Sequence, residues 1–236
     1  MYLSRNDITR IAGKVIRRYN IFAPPEYSSA RRIDPVQIAT DLLHLSVEHV
    51  KLSSDGSILG VTSYGKAGAY ILDEENSQSI YSLDGNTILI EKSLYTDRYK
   101  GRYNFTVAHE LGHQILQRMY PNDYGVKNRS SKTVYYRDKN VQKSRIDWEE
   151  WQADTLAAEM LMPSDLVKDL LRRYGLKRKN LMLNPIFNSL EYQRFGRMAN
   201  FLGVSKETLS IRLKHMGVLT ESYMKEPQAI MDIFKD

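Results

Sequence analysis

The 236-residue sequence contains no cysteine. Disulfides and thiolate metal sites are therefore excluded. Any metal must be held by histidine and carboxylate side chains, the ligand chemistry of catalytic sites rather than cysteine-rich structural ones. Long apolar runs are missing as well: there is no window of about 18 apolar residues, and the opening MYLSRNDITRIAGK has no uninterrupted apolar core. A soluble, cytoplasmic protein with no membrane partner is expected. In such a protein the glycosylation sequons at Asn104 and Asn128 carry no meaning. Histidine is scarce, with five in the whole chain, so a metal motif spelled by chance is a poor explanation for one that occurs. The formal charge of +6 admits an acidic or nucleic-acid partner, but net charge bears on association rather than on fold.

What is present is organised around residues 104–120, NFTVAHELGHQILQRMY. Phe105, Ala108, Leu111, Ile115 and Leu116 recur at helical spacing, and Asn104 is the expected N-cap. At 3.6 residues per turn, His109 and His113 stand one above the other on one face, where both imidazoles can reach a single ion. Glu110 sits beside them. This H-E-x-x-H spacing is that of a zinc peptidase helix, with two histidine ligands and an adjacent glutamate as general base toward a water. A third protein ligand is required.

Residues 147–163, DWEEWQADTLAAEMLMP, form the next strongly helical stretch, with Trp148, Trp151, Leu156, Met160 and Leu161 as its bulk. Glu149, Glu150, Asp154 and Glu159 are its candidate ligands. Glu150 and Asp154 lie one turn apart on one face, so one can bind metal while the other accepts the N–H of a ligating imidazole. That i, i+4 partner favours Glu150 over Glu149. A further donor should stabilise the oxyanion, and Tyr103 and Tyr136 are the candidates for that contact with substrate.

Elsewhere, Ser4 with Asp7 makes a capping-box-like start to an N-terminal helix carrying Ile8, Ile11, Val15 and Tyr19. Asp34-Pro35 starts a second helix, striped by Val36, Ala39, Leu42 and Leu43. Residues 46–91 change to β-like runs, VEHVKL, ILGVT, AYIL, SIYSL and TILIEK. Asp84-Gly85-Asn86 predicts an antiparallel hairpin between the last two. An exposed strand edge beside the metal would let an extended peptide add main-chain hydrogen bonds. Residues 121–145 read as a basic loop in which Tyr124, Tyr135 and Tyr136 are candidate substrate contacts. A helix over 164–174 is closed by Gly175. The segment RMANFLGVSKETLSIRLKHMGVL then has helix-turn-helix spacing, with Gly203 in the turn and Ser205 capping the second helix. Its second helix offers no Arg, Asn or Gln cluster for base edges, so DNA binding is admitted but not favoured.

Taken together, FTVAHELGHQIL and EEWQADTLAAEMLMP resemble the ImmA/IrrE family of bacterial metallopeptidases. That family carries HELGH and then, after a variable gap, E-x-x-A-D/N leading to FAAELLMP. The similarity runs from Asp34, where the family has an I-D-P-x-x-I-A helix, toward Gly217. Leu156 stands where the family usually has Phe. The expected fold class is α+β, a zincin-like metallopeptidase domain whose small antiparallel or mixed sheet packs on the active-site helices, followed by a helical, helix-turn-helix-like region. The expected division is an N-terminal helical extension over 1–30, the metallopeptidase domain over 31–175 and the C-terminal helices over 176–236. The resemblance implies one Zn²⁺ on His109, His113 and Glu150, with Asp154 behind a ligand imidazole. The implied substrate is a helix-turn-helix transcriptional repressor of a mobile element or stress response, cut to release gene expression. The rival expectations are a catalytically silent DNA- or repressor-binding regulator on the same fold, and a toxin–antitoxin partner whose metal is structural.

Overall fold

Residues 2–22, 31–125, 145–176, 181, 183–186 and 188–219 are described by this computed structural model. They divide into two compact units, those of Met1–Glu26 with Ile33–Leu161 and those of Tyr27–Arg32 with Met162–Asp236. The architecture is α+β. In the first unit, α1 (Arg5–Phe22) opens with the Ser4–Asp7 exchange: the Asp7 carboxylate accepts from Ser4 N at 3.1 Å, and Asp7 N donates to Ser4 Oγ at 3.2 Å. Two otherwise orphaned donors are thereby satisfied. Its Ile8, Ile11, Ala12 and Tyr19 are buried. Asp34 caps α2 (Pro35–Gln37) by accepting from Val36 N at 2.9 Å, and the chain loosens into a π-type turn over Ile38–Leu42.

The five β-like runs form β1 (Ser46–Val50), β2 (Gly60–Thr62), β3 (Ala67–Leu72), β4 (Gln78–Leu83) and β5 (Thr87–Glu91). Their pairing departs from expectation. Instead of a hairpin with β4, β5 lies at the centre of a three-stranded mixed sheet, parallel to β1 and antiparallel to β2. The antiparallel partner of β4 is β3, in a separate two-stranded sheet. The Asp84-Gly85-Asn86 turn does form, with Asp84 Oδ1 accepting from Asn86 N at 2.8 Å and Gly85 at φ 92°, but it hands the chain from one sheet to the other. Burial explains the choice. Every residue of β5 is buried whereas β4 is exposed or half-buried up to Leu83, and a continuous apolar run suits a central strand covered on both faces.

Helix α3 (Lys100–Met119) starts a full turn before Asn104, which is buried within it and is not its N-cap. Val107, Leu111, Ile115 and Leu116 face a core shared with Ile88, Ile90, Leu156 and Met160. The buried Gln114 ties α3 to the sheet, its Nε2 donating to Thr62 Oγ1 and to Ser63 O, each at 2.7 Å. Helix α4 (Arg145–Leu161) packs across α3 at very close range: a Cβ added at Gly112 would lie 3.0 Å from Ala153 O and 3.1 Å from Ala153 Cα.

The second unit holds α5 (Ser164–Arg173), α6 (Ser189–Leu202) and α7 (Lys206–His215). Gly203, at φ 67°, supplies the left-handed residue between α6 and α7, and Ser205 Oγ accepts from Thr208 N at 3.0 Å to cap α7. Phe195, Met198, Leu202, Leu209 and Leu213 are buried. Among the described residues no helix is long and apolar enough to cross a membrane. Most of the expected basic loop, residues 126–144 with Tyr135 and Tyr136, lies outside the described residues, as do 23–30, 177–180 and 220–236.

Gly112→Ala should force the α3 and α4 backbones apart. The expected loss of stability is about 1–3 kcal/mol, the usual cost of overpacking, read as a lower urea midpoint. An unchanged midpoint would mean that the two helices do not meet there.

Candidate metal centre

One turn of α3 and one turn of α4 supply the site. His109 and His113 point the same way from α3, with their Nε2 atoms 3.0 Å apart. Across the helix crossing, Glu150 reaches both: Oε2 lies 3.3 Å from His109 Nε2 and Oε1 3.4 Å from His113 Nε2. Two nitrogens and one carboxylate oxygen thus lie within 4.8 Å of one another, a group able to hold a metal ion.

The far side of each imidazole is also engaged. His109 Nδ1 lies 2.7 Å from Asp154 Oδ1, and His113 Nδ1 lies 2.9 Å from the Tyr124 hydroxyl. Each ring is therefore held with Nε2 toward Glu150, the arrangement that orients metal-ligating histidines. Burial alone would pull the His109 imidazolium down. The hydrogen bonds to Asp154 and Glu150 and the charge of Glu110 outweigh it and raise the pKa to about 10. Burial works against the Glu150 carboxylate, yet the hydrogen bonds from His109 and His113 hold its pKa far below the usual carboxylate range. Tyr124 is kept protonated by burial first and by the surrounding carboxylates second. A site that concentrates negative charge around two nitrogen donors fits a divalent cation, and with no thiolate present the donor set is of the His₂Glu type.

Glu110 is buried beside the histidines, and β2 begins against it: a Cβ at Gly60 would lie 2.7 Å from Glu110 Oε1 and 2.9 Å from Thr106 Cγ2. Of the other acidic candidates, Glu149 is spent elsewhere, its Oε1 accepting from Gly125 N at 3.3 Å and its carbonyl accepting from Tyr124 Oη at 3.0 Å. Glu159 is buried but is not part of the metal-ligating group. Tyr103 belongs to the core rather than to this cluster, with its hydroxyl 2.9 Å from His49 Nε2 and its ring stacked on the His49 ring. Tyr136 lies outside the described residues. Tyr124, read from the sequence as a substrate contact, is 2 % exposed and faces inward. No periodic pattern marks it, because a turn rather than a helix returns it to His113. Gly60 did carry a usable signal, since a glycine inside a strand often marks close backbone approach.

A family model described as Peptidase_M78, IrrE N-terminal-like domain, matches residues 73–214. That span is more than half of the chain and includes both helices of the site. No curated protein matches it.

With its pKa near 10, His109 carries a proton on Nε2 at neutral pH that a metal must displace. Binding at pH 7 should release about one proton, and apparent affinity should rise as pH climbs toward 10 and then level off. Isothermal titration of zinc in two buffers of different protonation enthalpy measures the release. Heats that are equal in both buffers would mean that His109 is already neutral.

Proposed function

This chain belongs to the Peptidase_M78 family of IrrE N-terminal-like domains, and from that premise we propose that it is a zinc-dependent endopeptidase. The observation that carries this reading is the convergence of His109, His113 and Glu150 on one point with Glu110 buried beside them. Zinc bound there would supply a water of lowered pKa and polarise the scissile carbonyl. Glu110 takes the proton of the attacking water and returns it to the departing amine. Asp154 holds His109 in orientation through Nδ1.

β2 occupies an outer position in its sheet and Gly60 contacts the Glu110 side chain, so a strand edge lies beside the general base. An extended peptide added there by main-chain hydrogen bonds would be held still for attack. The substrate is a protein, and the motif resemblance supports a cytoplasmic helix-turn-helix repressor whose cleavage releases genes of a mobile element or a stress response. The rival reading, a silent DNA-reading regulator, would use α6 and α7 as a helix-turn-helix. The burial of Arg212 speaks against it: this side chain of α7 donates to Met162 O and Ser164 Oγ, each at 3.0 Å, and is not available to a base edge.

The test incubates zinc-loaded protein with helix-turn-helix repressors from the same cells and reads fragments by mass spectrometry. Glu110→Gln should keep its zinc and lose about 10²–10⁴-fold in cleavage rate. Full activity in that variant would sink the general-base assignment, and zinc binding without cleavage by the wild type would favour the silent regulator.

A further inference from the structure

The hydrogen bonds around Tyr124 have a direction that can be worked out. A phenol has a single hydrogen. The Glu149 main-chain carbonyl, 3.0 Å away, can only accept, so that hydrogen points to it. The hydroxyl oxygen must then accept from its other neighbour, His113 Nδ1, at 2.9 Å. His113 therefore carries a hydrogen on Nδ1, and Nε2 is the ring nitrogen turned toward His109 and Glu150.

The turn that presents Tyr124 is itself held in place. Tyr120 O accepts from Asp123 N at 3.1 Å and from Tyr124 N at 2.9 Å, which folds the chain back after α3. Gly125 follows at φ 67°, its N–H donating to Glu149 Oε1 at 3.3 Å, and any Cβ there would overlap the Tyr64 ring. The Tyr64 and Tyr124 rings meet edge-on, with centroids 6.4 Å apart. α4 thus offers two acceptors from one residue, the carbonyl and carboxylate of Glu149, and they fix two consecutive residues of the turn.

We infer that Tyr124 is a positioning residue of the metal centre, which sets the tautomer and orientation of His113 through the relay His113 Nδ1–H, Tyr124 O–H, Glu149 C=O. The inference rests on the metallopeptidase reading of the site. It makes the two histidines unequal: His109 is backed by a carboxylate, His113 by a neutral hydroxyl whose own hydrogen is committed to α4.

Tyr124→Phe removes the oxygen and keeps the ring. Its zinc affinity, measured by chelator competition, should fall about 10–100-fold, the usual effect of losing a ligand's hydrogen-bond partner. Ring ¹⁵N spectra of His113, with and without zinc, should show hydrogen on Nδ1 in the wild type and a loss of that preference in the variant. Glu149→Ala, which keeps the main-chain carbonyl, should leave the Nδ1 hydrogen in place. Unchanged affinity together with an unchanged His113 spectrum in Tyr124→Phe overturns the assignment, and so does a wild-type His113 lacking hydrogen on Nδ1, even if the variant does not fold. A wild type that binds no zinc refutes the metallopeptidase reading instead, and the spectra of the metal-free protein then judge the relay by themselves.

Discussion

The place where the main chains of α3 and α4 touch, at Gly112 and Ala153, is the constraint on which the site depends. Gly112 lies between the histidines, one residue before His113, while Ala153 lies three residues after Glu150 and one before Asp154. A side chain larger than hydrogen at position 112 would meet backbone, which cannot swing aside as a flexible side chain can. The glycine of HELGH and the alanine of E-x-x-A-D are thus two halves of one contact. Because the contact is backbone to backbone, the Glu150 carboxylate arrives within 3.4 Å of both imidazoles, and Asp154 arrives behind His109 from the same turn.

Such a site is expensive to bury. Glu110 and His113 are buried and His109 and Glu150 are partly so. Isolated charges in such surroundings would cost several kcal/mol each after relaxation. The cluster answers that cost internally: Glu150 is held ionised by the two histidines and His109 is held protonated by Asp154 and Glu150. A cation in place of that proton satisfies the same carboxylates with more charge. The fit of the site to a cation therefore rests on its acid–base balance as well as on its shape.

Much of this was legible in the sequence because it depends on short-range periodicity. The HELGH spacing, the five β-like runs, the Ser4–Asp7 and Asp34 caps, and the glycine between α6 and α7 all act within a few residues. What was hidden depends on partners far along the chain. β5 reads as one arm of a hairpin from its turn signal, yet it takes β1 and β2 as neighbours because its unbroken apolar run needs cover on both faces. Asn104 looks like a cap, but the helix is extended upstream over residues 100–103, a Lys-Gly-Arg-Tyr turn in which Tyr103 alone is buried and no apolar stripe announces the start. Tyr124 reads as a substrate contact rather than as the partner of His113, because that partner is reached through a turn and is matched by no repeat. The turn nevertheless brings it to hydrogen-bond distance.

The sheet enters the chemistry through two small contacts. Gln114, one residue after His113, donates to Thr62 and Ser63 at the end of β2, while Gly60 at its start leaves room for Glu110. The strand is thus pinned to α3 at one end and fitted to the Glu110 carboxylate at the other, over only three residues. A side chain at position 60 would have to displace the Glu110 carboxylate, so strand and carboxylate cannot be adjusted separately. If the outer edge of β2 receives an extended chain, the main-chain register of that chain is referred to the same helix that carries His109, Glu110 and His113. Substrate placement and proton transfer would then share one rigid frame, which is what a reaction requiring sub-ångström alignment of attacking water and carbonyl demands.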